Sequence, residues 1–366
     1  MVFLTPELAV GLVMLEVPGD LLEGGGQIVR TTLALSALSG KPVTITKIRE
    51  NRPNPGLQPQ HFVAVNALAA ICHAETEGVA VGSRQLRFTP HGRAVGRYGF
   101  DVGTAGSIPL ILQALMPAAA FAPGPLEFEL TGGTDVKWSP SIDYLRLIQL
   151  PLMQTMGYEA TIHVRRRGHY PKGGGQVSAV THPAVGGLKA VRWLERGELV
   201  GINGVSHCVK LPGHVAERQA NAAKAKLAEA GFTSNIATET YPPNQDPHVA
   251  PGSGIILQAK FTSGALLGSD SLGERGKPAE AVGEEAASML IRELSTGAPV
   301  DRHMGDIIIP YLAVAGGESG VRVSEITSHT LTNIKVAEAL TGVRFHVEGE
   351  LRHPATVSVQ GIALTA

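Results

Sequence analysis

The sequence predicts an α/β (α+β) protein in which a repeated main domain is interrupted by a smaller α/β insert. Three observations lead there. β-type runs alternate with helical ones through the first half. The stretch EGGGQIVR at Glu23 to Arg30 has a near echo, KGGGQV, at Lys172 to Val177. Between about Ala184 and Pro299 the pattern changes, and after it the style of the first half resumes. Glycine gives up the most backbone freedom on folding, so a triple glycine used twice suggests a duplicated fold or a duplicated job. We read the echo as one duplicated turn that reports the repeat.

In chain order, QIVRTTLALSALSG carries apolar residues at helical spacing and ends on Gly40, a residue type suited to a left-handed helix cap. PVTITKI follows as a strand. PQHFVAVNALAAI, GSIPLILQALMPAAAF and DYLRLIQLPLMQTMG are further helices, separated by the β-like runs LRFTP, LEFELTGG and EATIHVRR. Alternation at a two-residue period in these strands predicts sheets with one face covered and one open. LVGINGVSHCV, SGIILQAKF and ALLGSDSL then read as strands beside the amphipathic helix VAERQANAAKAKLAEAG, closed by Gly231. The borders VTHPAVGG, ERGKPAEAVG and STGAP have the Pro/Gly-rich composition of an insertion point. The expected division is 14–184 for the first part of the main domain, 185–295 for the insert and 296–366 for the closing part. That last part holds DIIIPYLAVAGG, the strand VRVSEIT and the helix HTLTNIKVAEALTG.

The 366 residues, 43% hydrophobic and 17% charged, suit a soluble globular chain of two or more domains. Lys+Arg 31 against Asp+Glu 32 leaves a formal charge of -1, so no global field draws nucleic acid or a membrane. A polyanion partner has to be met by a local cluster. Cys72 and Cys208 lack C-x-x-C spacing, which argues against disulfide frameworks and thiolate zinc sites and fits a reducing, cytoplasmic setting. The N-terminal MVFLTPELAVGLVMLEVPGD is apolar but has no basic n-region and carries Glu7, so it does not read as a secretory signal; Met14 is an equally good start. No run is long enough to span a bilayer.

Neither triple glycine matches G-x-x-x-x-G-K-[ST] or G-x-G-x-x-G with a downstream acid, so glycines alone do not establish a nucleotide site. The plain reading of EGGGQIVR is a turn and a helix start. It also offers unpaired N–H groups to an anion, with Arg30 one turn on. In ITKIRENRPNPGLQPQH, Arg49 and Arg52 flank a turn that Pro53, Pro55 and Pro59 stiffen. Each arginine alone reads as a solvated surface residue; three guanidiniums beside shaped loops point toward a phosphate site. Arg165, Arg166 and Arg167 supply a second basic patch just before KGGGQV. GTAGSIP and TGGTD are turns of the kind that gather at one end of a sheet, where ligands bind, although connection geometry explains each equally well.

Of 13 histidines, His329 has a distinguishing context. It follows the strand VRVSEIT, comes after the capping residues Thr327 and Ser328, and opens a helix. A helix N-terminus favours both neutral imidazole and bound phosphate, the requirements of a histidine that attacks phosphorus. A capping or packing histidine is the plain alternative.

The motifs EGGGQIVR, KIRENRPNPGLQPQH, GTAGSIPLILQ, GGTD, GHYPKGGGQ and SHTLTNIKV, in this order from Leu15 to Val347, resemble the RNA 3′-terminal phosphate cyclases. The resemblance implies a main domain of three βα repeats, of the kind shared with enolpyruvyl transferases, carrying an inserted small α/β domain. It implies that ATP and a divalent metal, Mg2+ or Mn2+, serve to convert an RNA 3′-phosphate to a 2′,3′-cyclic phosphate through a histidine–AMP intermediate. By that resemblance His329 is the nucleophile and Glu23 helps hold the metal. Arg30, Arg49 and Arg52 lie near the phosphates, with Gln60 beside them, and Gln113 makes a nucleotide or phosphate contact. Asp306 stands close to the nucleophile and orients its ring. His303 occupies a position where an aromatic such as tyrosine is expected to stack on adenine. The rivals are a noncatalytic cyclase-like protein of ribosome assembly, which lacks the nucleophile, and an enolpyruvyl transferase, which lacks the insert and SHTLTNI.

Overall fold

The structure, a computed structural model, describes residues 14–365; residues 1–13, including Glu7, lie outside them. Four four-stranded mixed sheets carry the chain. The first contains β1 (Leu15–Pro18), β2 (Val43–Thr46), β3 (Glu75–Glu77) and β4 (Leu86–Thr89), with α1 (Gly26–Ser39) and α2 (Pro59–Cys72) between strands. The second contains β5 (Gly96–Asp101), β6 (Leu126–Gly132), β7 (Ala160–Arg166) and β8 (Gly175–Thr181). Between its strands run α3 (Ile108–Ala119) and a helix built of α4 (Ile142–Tyr144), a π turn (Leu145–Gln149) and α5 (Leu150–Thr155). After β9 (Arg192–Trp193), a different sheet follows: β10 (Leu199–Val209), α6 (His214–Glu229), β11 (Ser234–Glu239), β12 (Gly252–Phe261), β13 (Leu266–Leu272) and α7 (Ala279–Ser295). The chain closes with α8 (Arg302–Val314), β14 (Glu318–Val323), α9 (Ser328–Thr341), β15 (Phe345–Glu348) and β16 (Ala355–Gln360), and β9 joins β14 to β16 in the last sheet.

Three of these sheets share one pairing plan. In each, the first two strands are parallel, the second pairs antiparallel with the fourth, and the fourth pairs antiparallel with the third. The sheet of β10 to β13 has the different order β11-β10-β12-β13. Burial follows the same division. Helices α1, α3, α8 and α9 pack on one another over one large core, whereas α6 and α7 cover a separate core on β10 to β13. The alternation read in the strands is present: β6 and β8 bury every second side chain, as a sheet with one covered face requires.

Local chemistry explains the main boundaries. Gly40 takes φ 69° and donates its N–H to Ser36 O, closing α1 as a left-handed cap does. Ser107 opens α3 by accepting the Leu110 N–H on its hydroxyl at 3.1 Å. In the interrupted helix of sheet two, Pro151 has no N–H to give the Leu147 carbonyl, and Gln258 of β12 donates to that carbonyl instead.

Two expectations are corrected. The glycine echo is not a repeated turn: EGGG links β1 to α1, while KGGG links β7 to β8. In the shared plan the counterpart of the β1–α1 turn is the β5–α3 turn, which carries GTAGS. The second copy also differs in shape, with Gly173 at φ 64° and Gly174 at φ 70°, whereas in the first copy Gly24 alone is left-handed, at φ 60°. The onset of the insert also moves. Residues 192–193, expected inside it, pair in parallel with β14, and Leu188 and Val191 belong to the large core.

Candidate active site at the start of α9

The turn after β1 brings glycines, a carboxylate and a histidine together. A Cβ at Gly25 would lie 3.3 Å from a terminal nitrogen of Arg52 and 3.7 Å from His329 Cε1, and one at Gly26 would lie 2.0 Å from His61 Nε2. These two glycines are therefore small because three side chains crowd the start of α1. Glu23, just ahead of them, accepts a hydrogen bond from Arg52 on Oε1 at 2.8 Å, and its Oε2 lies 3.1 Å from His329 Nδ1. One half-buried carboxylate thus joins the guanidinium and the imidazole.

Arg30, Arg49 and Arg52 gather around this point. Burial and the neighbouring Arg49 push the Arg30 pKa down to about 10, and burial and Arg52 lower that of Arg49. Cations that depress one another are neighbours with too few anions between them. Arg49 donates to the Asn54 carbonyl at 3.2 Å, and the Nε atoms of Arg49 and Arg52 are buried with no partner among the described residues. Positive charge and spare donors together suit a phosphate group.

His61, which the sequence does not single out, belongs to the same cluster. Its Nδ1 accepts the Gln58 N–H at 3.1 Å, and burial, then Arg30 and Arg49, hold its pKa down to about 3. It is a neutral imidazole wedged between α2 and Gly26. The proline-shaped turn before it was the signal that it caps a helix.

At α9, Thr327 accepts the Thr330 N–H on its hydroxyl at 3.0 Å, fixing the first turn on which His329 sits. Asp306 of α8 accepts the hydroxyls of Thr327 and Thr330 on one oxygen, at 2.5 and 2.6 Å, and its carbonyl accepts from Asn333 at 2.7 Å. Burial raises the Asp306 pKa, opposed by the two hydroxyls and by His329 and His303 nearby. Asp306 therefore holds the helix start that carries His329, and Glu23 is the acid that faces its Nδ1. With that nitrogen turned to a carboxylate, Nε2 is the ring atom left for chemistry.

The remaining expected residues are placed less closely. Gln60 accepts the Ser107 N–H at 2.9 Å, tying α2 to the GTAGS turn. Gln113 lies along α3 and donates to Gln149 at 3.4 Å, with no hydrogen bond to the three arginines among the described residues. His303 is exposed at the start of α8, its ring edge-on to Tyr144 with centroids 6.0 Å apart. The second basic patch is partly paired within the protein. Arg165 pairs with Glu129, Arg166 donates to the Gly174 carbonyl, and Arg167 is buried against Asp135, Asp143 and Glu239.

This arrangement can bind an anion at three arginines and present a nucleophilic nitrogen to it. Comparison with known proteins agrees with that chemistry. The family model described as "RNA 3′-terminal phosphate cyclase" matches residues 21–347. A protein of that name from Ignicoccus hospitalis is 49% identical over 351 residues, covering 95% of this chain and 99% of that protein. One from Hyperthermus butylicus is 50% identical over 355 residues, covering 95% and 98%. One from Methanopyrus kandleri is 49% identical over 348 residues, covering 95% and 99%.

Proposed function

This chain belongs to the RNA 3′-terminal phosphate cyclase family, and from that footing we propose that it uses ATP to convert the 3′-terminal phosphate of an RNA to a 2′,3′-cyclic phosphate. The observation that carries the reading is the Glu23 carboxylate held 3.1 Å from His329 Nδ1 and 2.8 Å from an Arg52 nitrogen, at a helix N-terminus.

His329 Nε2 attacks the α-phosphorus of ATP, forming an N–P bond as the bond to pyrophosphate breaks. Glu23 faces the Nδ1 side and favours the tautomer with Nε2 unprotonated. Arg30, Arg49 and Arg52 neutralise charge on the phosphates, where positioning and electrostatics carry most of a phosphoryl transfer. An oxygen of the RNA 3′-phosphate then takes AMP from His329. The neighbouring 2′-hydroxyl gives up its proton and attacks the 3′-phosphorus, closing the ring and releasing AMP.

A divalent cation, Mg2+ or Mn2+, fits the chemistry of Glu23, because one half-exposed carboxylate plus substrate phosphate oxygens is a common ligand set and the arginines that would gather those phosphates lie beside it. When bound it would add charge neutralisation at the phosphates. Gln60 and Gln113 serve as polar contacts near the nucleotide, and His303, exposed beside the site, offers a ring to stack on adenine. The three like sheets support a main domain of three repeated βα units. The insert occupies most of the expected 185–295 but starts between β9 and β10, with the first part of the main domain running through β9 before it and 296–366 after it. Two buried free cysteines suit a reducing cytoplasm, and no helix among the described residues is long and apolar enough to cross a membrane.

The test uses RNA ends. With ATP and the protein, an RNA ending in 3′-phosphate becomes resistant to phosphatase, while one ending in 3′-OH is unchanged. Equal behaviour of the two ends would count against cyclisation.

A further inference from the structure

We infer that Asp135, His169 and His207 form a second metal site, for a divalent transition ion of the zinc class, away from Glu23. One ligand atom from each lies within 4.8 Å of the others, and all three residues are buried. They come from three segments: the turn after β6, the β7–β8 turn that holds KGGGQV, and β10. A backbone bridge already joins Asp135 to His169.

Four polar atoms of this trio lack hydrogen-bond partners among the described residues: Asp135 Oδ1, His169 Nε2 and both ring nitrogens of His207. Buried polar atoms are normally paired, so a cluster of unpaired ones aimed at one point calls for a ligand. The other Asp135 oxygen is held by Thr134 at 2.6 Å and by Arg167 at 3.3 Å, which leaves Oδ1 as the free donor. Room for the two rings is made by missing side chains on β12. A Cβ at Gly252 would lie 2.0 Å from His169 Cγ, and one at Gly254 would lie 3.0 Å from His207 Cε1.

Charge points the same way. Asp135, Asp143 and Glu239 stand against Arg167 and Arg146, a formal excess of one negative charge, with the Asp270 carboxyl lining the same cavity. Buried charge is costly unless offset, and a cation offsets this negative excess. Neutral imidazole is the form that binds metal. Beside His169 and His207, His248 has Nδ1 2.8 Å from Asp246 and a buried Nε2 without a partner, the way a carboxylate orients a metal-facing imidazole. Two nitrogens and one carboxylate oxygen suit zinc-class ions better than Mg2+. Zn–N bonds of about 2.0–2.1 Å would draw the side chains together by rotation. The bound ion would fasten β10 to the second sheet and hold the KGGGQV turn in place.

The full-length protein, stripped with a chelator, is titrated with Co2+ and followed by its visible d–d absorption, with metal content measured after dialysis against Zn2+. One saturable site is expected, unchanged in Glu23→Gln and weakened by at least roughly tenfold in His169→Gln, His207→Gln and the isosteric Asp135→Asn. Zn2+ should also raise the thermal midpoint of the stripped wild type. Absence of a saturable Co2+ spectrum in the stripped wild type would overturn the site, whether or not the variants fold. So would equal binding by wild type and every folded ligand variant.

Discussion

Gly26→Ala tests the physical reason for the glycines after Glu23. The new Cβ would sit 2.0 Å from His61 Nε2, 2.7 Å from Cε1 and 3.0 Å from Cδ2. Ordinary contact starts at 3.4 Å, so the ring must retreat by roughly 1.4 Å. His61 is 2% exposed, and its Nδ1 accepts the Gln58 N–H at 3.1 Å, so there is no free space to retreat into and the bond breaks. A lost buried hydrogen bond costs about 1–3 kcal/mol, and overpacking about 1–3 kcal/mol. Ala in place of Gly in a helix offsets up to about 1 kcal/mol. The net destabilisation is about 1–6 kcal/mol, read from urea unfolding. In a His61→Ala background the same change meets no ring and should be neutral or stabilising by up to about 1 kcal/mol. Equal costs in the two backgrounds, or no cost in the wild type, would refute the reasoning.

Two further outcomes follow from particular side chains. Glu23→Lys puts a cation between Arg52 and His329; the fold should persist by circular dichroism, while labelling by α-labelled ATP falls by roughly 100-fold or more, and undiminished labelling would show the acid is not needed. Glu293, buried on α7, has its pKa pushed up to about 7 by burial and then by Asp301, with Arg302 Nε 3.6 Å away. A carboxyl raised from 4.5 stabilises the fold below that value and loses this as pH climbs through about 7. The wild type should therefore lose up to about 3 kcal/mol relative to Glu293→Gln between about pH 5 and pH 8; parallel unfolding curves across that range would count against the burial argument.

Features fixed by local chemistry were legible in the sequence. The Gly40 cap, the helix starting after Thr327 and the exposure alternation of β6 all follow from residues within a few positions of one another. Contacts between distant segments were not. Nothing near Glu23 announces that it meets His329, nor does the sequence near Asp306 show that it braces the Thr327 cap instead of the ring. The arginine run at 165–167 read as a basic patch because the carboxylates that neutralise Arg167 come from residues 135, 143 and 239. The glycine echo misled for a related reason: glycine marks tight or crowded backbone but does not say whether a helix or a strand follows. Three sheets do share a pairing plan, and in the first two its sequence counterpart lies in EGGG and GTAGS, which share a position but little sequence.

The central claim is that His329 carries AMP. Incubating the protein with α-labelled ATP and Mg2+ or Mn2+ should leave a label on the wild type that is stable to alkali and lost in acid, as a phosphoramidate is, and none on a folded His329→Ala variant. A His329→Ala protein labelled as well as the wild type would contradict the account.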